Sequence, residues 1–256
     1  MVESPQAFLA AAERLGVRTL DTAPSYGDAE TLIGDSTARL RVHTKVSRGL
    51  DPGESILASL RRLRRSAVDV LYLHDSSLVL DPGHPTLEAV AALVGSAARA
   101  VGVSIYEEEE LDAALRDPRF GAVQVPLNLF DRRFGGSRIV EAARLGKEVF
   151  VRSALLQGAL VMPADELPPA LAGLRPFLIE FHGLTRELGR GPIEMALGWV
   201  RSVPGVRGVV VGTSSITELE ELVTAFIADP LTCAEVAAVE QLPIPGRHLT
   251  DPRNWT

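Results

Sequence analysis

Residues 17–27 read V-R-T-L-D-T-A-P-S-Y-G, a short strand-like run that stops on Asp21 and turns through Pro24, Tyr26 and Gly27. Residues 41–46, R-V-H-T-K-V, and 68–75, V-D-V-L-Y-L-H-D, end in the same manner, on Lys45 and His74. A helical stretch follows each run. In a barrel of parallel strands the strand ends converge on one mouth, so residues distant in sequence meet there. Side chains alternate along a strand. Val42, Thr44 and Val46 therefore share one face and Arg41, His43 and Lys45 the other, while His74 keeps the parity of Val70 and Tyr72. That alternation lets Asp21, Lys45 and His74 all point inward.

Outward from these runs the pattern repeats. Strands are expected at 17–22, 41–46, 68–73, 99–104, 121–125, 148–152 and 207–212. Helices are expected at 5–15, 28–39, 54–64, 86–94, 107–116, 137–145, 176–188, 192–201, 216–227 and 232–240. Strict alternation of this kind indicates an α/β protein with a parallel sheet. No G-x-G-x-x-G follows any strand, which removes the signature of the open dinucleotide-binding sheet and favours a (β/α)8 barrel. The chain opens on a helix and supplies seven strands, so the barrel is expected to lack its first N-terminal strand. The two sheet edges this leaves must be covered or paired, and a second copy of the chain is one partner for such an edge. Residues 1–256 are expected to form a single barrel domain, with an irregular tail over about 242–256 lying on the surface.

With 256 residues and a 46% apolar fraction the chain can fill such a core. The net charge of −7 argues against nucleic acid or an anionic membrane as partner. No apolar run reaches the ~20 residues of a membrane span. The N-terminus does not read as a signal peptide, and a cytoplasmic location is expected. A single cysteine, Cys233, excludes an intrachain disulfide and reads as a packing residue. No metal site is expected. The basic run R-R-L-R-R at 61–65 reads as a solvated helix end and E-E-E-E at 107–110 as a helix start, both favoured by the helix dipole. Of the 26 basic residues only Lys45 and Lys147 are lysines, so a lysine inside a strand is noteworthy here.

Taken singly, each polar strand-end residue has an ordinary explanation. Asp21 could cap a turn, Tyr26 could be a loop aromatic, Lys45 could reach solvent, and His74 could be hydrogen-bonded in the core. Their joint occurrence at three consecutive strand ends has a chemical meaning. An ammonium beside a phenol stabilises phenolate, a carboxylate keeps the ammonium charged, and an imidazole can hold a carbonyl oxygen. Such a set can pass a proton to an alkoxide or take one from an alcohol.

The sequence resembles the aldo-keto reductase family. The resemblance is carried by D-T-A-P-S-Y-G-D-A-E-T-L-I-G at 21–34, T-K-V at 44–46, L-Y-L-H at 71–74 and V-G-V-S-I-Y at 101–106. It continues through V-Q-V-P-L-N-L-F-D-R at 123–132, V-R-S-A-L-L-Q-G at 151–158, P-I-E-M-A-L-G-W-V at 192–200 and V-V-V-G-T-S-S-I-T-E-L-E-E-L at 209–222. It implies a (β/α)8 barrel and an NAD- or NADP-dependent oxidoreductase that reduces a small-molecule aldehyde or ketone, or oxidises the alcohol. It implies Tyr26 as general acid and base, Lys45 as its tuner, Asp21 as the lysine's partner and His74 as carbonyl orienter. By motif position Ser104 and Gln124 would meet the nicotinamide, Arg152 its ring, Ser153 and Leu155 the pyrophosphate path, and Gly212, Thr213, Ser214 and Ser215 the adenosine end.

Four departures accompany the resemblance. The family's opening strand has no counterpart here. Ile105 stands where asparagine is common, and Arg152 where an aromatic is common. Glu218, Glu220 and Glu221 occupy the stretch where basic residues would receive a 2′-phosphate. Two rival functions share the barrel: an isomerase or dehydratase that uses the same tyrosine, lysine and histidine without hydride transfer, and a catalytically silent binding protein.

Overall fold

The computed structural model describes residues 4–47 and 49–255; residues 1–3 of the N-terminal segment, residue 48 and residue 256 of the tail lie outside the described residues. Seven strands form one sheet in sequence order. They are β1 (Thr19–Asp21), β2 (Arg41–Lys45), β3 (Val68–Leu73), β4 (Ala98–Ser104), β5 (Ala122–Pro126), β6 (Glu148–Arg152) and β7 (Val206–Val209). Among the described residues ten α-helices of six residues or more accompany them. These are α1 (Pro5–Arg14), α2 (Ala29–Gly34), α3 (Pro52–Leu63), α4 (Pro85–Ala91), α5 (Glu108–Arg116), α6 (Ser137–Arg144), α7 (Arg175–Glu187), α8 (Pro192–Ser202), α9 (Ile216–Ile227) and α10 (Cys233–Glu240). The element order is that of a (β/α)8 fold with one strand fewer. Helix α1 shows why the boundaries fall where they do. Ser4 Oγ accepts from the Ala7 N–H, Pro5 occupies the first turn, and Gly16, at φ 88°, ends the helix.

The chain divides into two compact units. The first comprises Met1–Val125, Ala142–Val149 and Thr213–Glu220. In it β1 to β5 pair in parallel with a register that decides which side chains share a face. Asp21 pairs with His43, His43 with Val70, and Lys45 with Tyr72. Tyr72 pairs with Gly102 and Ser104 with Gln124. Paired residues, and residues two apart, face the same way. Asp21, His43, Lys45, Tyr72, Ser104 and Gln124 therefore rise in layers on one face, as the alternation predicted. The opposite face buries Val42, Leu71, Val101, Val103 and Val123 against the helices. Gly102 is required by this layering. A Cβ there would lie 2.6 Å from Tyr72 Cε1 and 2.9 Å from the Ala122 carbonyl oxygen.

The second unit comprises Pro126–Glu141, Phe150–Gly212 and Glu221–Thr256. Phe130 meets Phe177 and Phe181 edge-on, with ring centroids 6.1 and 6.3 Å apart. Arginines close the helix ends here. Arg132 Nη1 and Nη2 donate to the carbonyls of Glu240 and Val239, and Arg201 donates to those of Phe226 and Ala228. Arg190 donates to Glu194, Glu235 and the Asp229 carbonyl. The hydrogen bonds from Arg190, and then those from Thr232, hold the Glu235 carboxyl down to about 2.

Three expectations are corrected. Cys233 is exposed, because it occupies the first helical position of α10 and points to solvent; it is not a packing residue. Arg62 is not merely solvated: its Nε donates at 2.7 Å to Glu30, a carboxylate 1% exposed. The tail does not simply lie over the surface. It contains short helical turns at Arg247–Thr250 and Pro252–Asn254, and Thr250 and Asp251 are buried. The 107–110 run does begin a helix, with Glu110 accepting from the Tyr106 and Glu107 N–H groups. Among the described residues no helix is long and apolar enough to cross a membrane.

Two outcomes are expected. Gly102→Ala overpacks the Tyr72 ring and should cost about 1–3 kcal/mol in chemical denaturation, with partial recovery in the Gly102→Ala/Tyr72→Leu double variant. The Glu235 carboxyl lies below its ordinary value of 4.5, so its contribution to stability is complete above that value and is lost as pH falls from 4.5 toward about 2. Thermal melts across this window should show a shallower loss on acidification in Glu235→Gln than in the parent.

Candidate active site

The centre of the site lies in the first unit, at the C-terminal ends of β1 and β2. Strand β1 delivers Asp21 and β2 delivers Lys45, whose Nζ donates to Asp21 Oδ1 at 2.6 Å and to the Thr22 carbonyl at 3.0 Å. Lys45 is 5% exposed. Lys147, the other lysine, is also buried and donates to the carbonyls of Asp117 and Phe120. Neither lysine serves as a surface charge, in keeping with their scarcity. Tyr26 follows β1 in a turn closed by its N–H on the Ala23 carbonyl, with Gly27 at φ 57°. The Lys45 Nζ sits 4.9 Å from the centroid of the Tyr26 ring, within cation–π range.

Asp21 has a second partner that was not foreseen. Gln124 Nε2 donates to Asp21 Oδ2 at 3.0 Å, and Ser104 Oγ donates to Gln124 Oε1 at 3.2 Å. Both carboxylate oxygens are thus satisfied, and a hydrogen-bonded line runs Ser104–Gln124–Asp21–Lys45. The sequence singled out Ser104 and Gln124, but as groups for a nucleotide and unconnected to Asp21. Their position on the inward face was readable from the alternation, since each lies two residues beyond the paired Gly102 and Ala122. His74 is half-buried, immediately after β3, on the same face as Tyr72.

A second phenol lies within the same layers and must be told apart from Tyr26. Tyr72 is fully buried, and burial, followed by the charges of Asp21 and Glu148, pushes its hydroxyl well above the usual phenol range. It stays protonated. Its ring meets His43 edge-on at 5.7 Å, with the hydroxyl 3.5 Å from His43 Nδ1. Burial lowers the His43 value, against the raising charges of Asp21, Asp69 and Glu148, which keeps that imidazole neutral near pH 7. Tyr26 is 52% exposed. Of these two phenols only Tyr26 can exchange a proton with a molecule arriving from solvent.

The remaining candidate residues fall in both units. In the second, Arg152 ends β6 and Ser153 and Leu155 follow it, all half-buried. Ser153, Leu156 and Gln157 have φ of 59°, 50° and 53°. Three non-glycine residues in the left-handed region within one loop is uncommon, and strain of this kind collects at functional loops. Asn128 Nδ2 braces the loop by donating to the Ser153 carbonyl at 3.1 Å. Gly212, also in the second unit, is exposed with open space where a Cβ would stand. In the first unit, Thr213, Ser214 and Ser215 lead into α9. Thr213 Oγ1 donates to Glu218 Oε2 at 2.5 Å and accepts from the Ser215 N–H at 3.1 Å. Ser214 is exposed, and Ile105 is fully buried with its N–H on the Gln124 carbonyl. Among the described residues no group of three or more His, Cys, Asp or Glu could hold a metal ion.

Comparison with known proteins gives this arrangement a family. The chain matches the Aldo/keto reductase family over residues 2–244. It is 24% identical over 257 residues to "Uncharacterized oxidoreductase YqkF" of Bacillus subtilis (strain 168), an alignment covering 88% of this chain and 83% of that protein. It is 24% identical over 293 residues to the L-glyceraldehyde 3-phosphate reductase of Escherichia coli (strain K12), covering 94% of this chain and 84% of the relative. Among solved structures, aldo-keto reductase AKR11C1 from Bacillus halodurans (holo form) superposes with a TM-score of 0.78 at 24% identity, covering 95% of this chain and 89% of that one. The glycerol dehydrogenase AKR11B4 from Gluconobacter oxydans superposes with a TM-score of 0.72 at 22% identity, covering 93% and 84%. Both superpositions support the fold alone. The chain belongs to the aldo/keto reductase family and is an NAD(P)-dependent oxidoreductase.

Proposed function

We propose that the chain interconverts a small-molecule aldehyde or ketone and the corresponding alcohol, with the Tyr26 hydroxyl as the group that gives or takes the proton. The observation that carries this is the pair of buried Lys45 and half-buried Asp21 lying beneath the exposed Tyr26 ring. Negative charge that develops on the Tyr26 oxygen as its proton leaves is met by the ammonium. Asp21 keeps the Lys45 ammonium aimed, and the Ser104–Gln124 line keeps Asp21 aimed. His74, at the end of the next strand, is the candidate donor to a substrate carbonyl oxygen. The chain acts as one domain over residues 1–256, and a cytoplasmic location suits it.

The residues fit a nicotinamide nucleotide. The Ser104 hydroxyl and Gln124 carboxamide offer donors and acceptors beside the Lys45 centre. In the second unit, taken by itself, the left-handed Ser153, Leu156 and Gln157 and the open Gly212 supply backbone of the kind that phosphates approach. Such a nucleotide, when bound, supplies the hydride. Residues 212–222 contain no lysine or arginine, and Glu218 holds its carboxylate on Thr213. A 2′-phosphate would meet negative charge there, so the preferred nucleotide is NAD and not NADP.

Calorimetric titration should give tighter binding of NADH than NADPH by at least roughly tenfold, ~1.4 kcal/mol, and Glu218→Arg should narrow or invert that ratio. Equal affinities in the parent would overturn the preference. Tyr26→Phe should lower kcat by about 10²–10⁴-fold while NADH binding persists, and turnover in nucleotide-free enzyme would point to isomerase or dehydratase chemistry instead. Lys45→Met leaves half-buried Asp21 with one partner fewer and should lower the denaturation midpoint, by more than the Lys45→Met/Asp21→Leu double variant does.

A further inference from the structure

Glu30 is a buried carboxylate that the proton-transfer chemistry does not use. It is 1% exposed and stands in α2, the helix that begins three residues after Tyr26. Its Oε1 accepts from Thr44 Oγ1 at 2.6 Å, and its Oε2 accepts from Arg62 Nε at 2.7 Å. Arg62 Nη2 lies 2.7 Å from the same oxygen. One side chain thereby joins α2 to β2 and to α3. Thr44 is the residue before Lys45 and, by strand alternation, faces the helices while Lys45 faces the site.

Helix α2 needs such a tie. Six residues are too few to be stable alone, and its N-cap residue Asp28 makes no capping bond. At its other end Gly34 presses on the end of α3: a Cβ at Gly34 would fall 2.1 Å from the Arg62 carbonyl oxygen. The turn that presents Tyr26 runs directly into α2, through the Ala29 N–H on the Tyr26 carbonyl at 3.2 Å. The position of Tyr26 over Lys45 is thus set from behind, by a carboxylate anchored on the lysine's own strand.

We propose that Glu30 is a positioning residue for proton transfer, holding the Tyr26 turn in register with Lys45 through its hydrogen bond from Thr44. The proposal rests on Tyr26 being the proton donor. Thr44→Val is nearly isosteric, favours the strand, and deletes only the hydroxyl; Thr44→Ser keeps the hydroxyl and deletes the methyl. Misplacement of a reacting group by about 1 Å can cost on the order of 10²-fold. The expected result is a kcat lowered roughly ten- to hundredfold in Thr44→Val, with KM and the NADH dissociation constant within about twofold of the parent. Thr44→Ser should restore most of that kcat. A purely structural role lowers the denaturation midpoint of Thr44→Val, which leaves Glu30 Oε1 without its donor, but leaves the kcat of the folded variant at the parent's value. Unchanged kcat in folded Thr44→Val, or a kcat no better in Thr44→Ser, overturns the proposal. Should Thr44→Val fold poorly, Thr44→Ala against Thr44→Ser carries the same comparison, since alanine also removes the hydroxyl that donates to Glu30. Unchanged kcat in Tyr26→Phe, by contrast, removes the underlying chemistry and leaves the anchor itself untouched.

Discussion

The Lys45–Asp21 ion pair is the interaction on which the rest of the site depends, and its demands reach well beyond the two residues. Removing an ammonium and a carboxylate from water costs several kcal/mol per ion, which mutual attraction alone does not reliably offset. The molecule meets this by completing the hydrogen bonding. Lys45 finds a backbone carbonyl at Thr22 as well as Asp21, and the second oxygen of Asp21 takes Gln124. These partners come from β1, β2 and β5, so the pair is only satisfied if the strands adopt one register. A slip by one residue would turn Lys45 toward the helices and Thr44 toward the site. Fold specificity and site chemistry are in this sense one requirement.

The near-exclusive use of arginine acquires a physical reason. Arginine presents several donors in a planar fork and suits pairs of oxygens, whereas lysine carries a compact charge. Arg132, Arg190 and Arg201 each span more than one backbone carbonyl at the ends of helices, and Arg62 grips Glu30 with adjacent nitrogens. The two lysines are both buried, and each turns its compact ammonium on two oxygens. The same contrast explains why a run such as residues 61–65 misleads: its members look alike in sequence, yet Arg62 reaches inward while Arg64 pairs with Asp35 at the surface.

Much of the fold was legible because its signals are local. Val- and Leu-rich runs bounded by glycine and proline gave each of the seven strands to within two or three residues, and Ser4, Pro5 and Gly16 gave the ends of the first helix. Asp21, Lys45 and His74 were legible as residues at or just after three successive strand ends, with Tyr26 in the turn after β1. The links that unite them were harder to see. Gln124 lies 103 residues from Asp21, and no local pattern announces a hydrogen bond of that span. Glu30 was invisible for another reason: a glutamate in the first turn of a helix is ordinarily a dipole complement facing solvent, and only the packing of α2 on β2 and α3 buries it. Cys233 erred in the other direction, since an apolar residue near a helix start was expected inside and the helix phase placed it outside.

Gly102 and Tyr72 carry a consequence for descent. A side chain at 102 would enter the volume of the Tyr72 ring, so the aromatic demands the glycine. Lineages that keep the aromatic must keep the glycine. Those that lose the ring still meet the Ala122 carbonyl oxygen, 2.9 Å from a Cβ at 102, and lose the phenol that His43 contacts. The glycine should therefore outlast the aromatic at this layer, since the neighbouring backbone still demands it once the ring has gone.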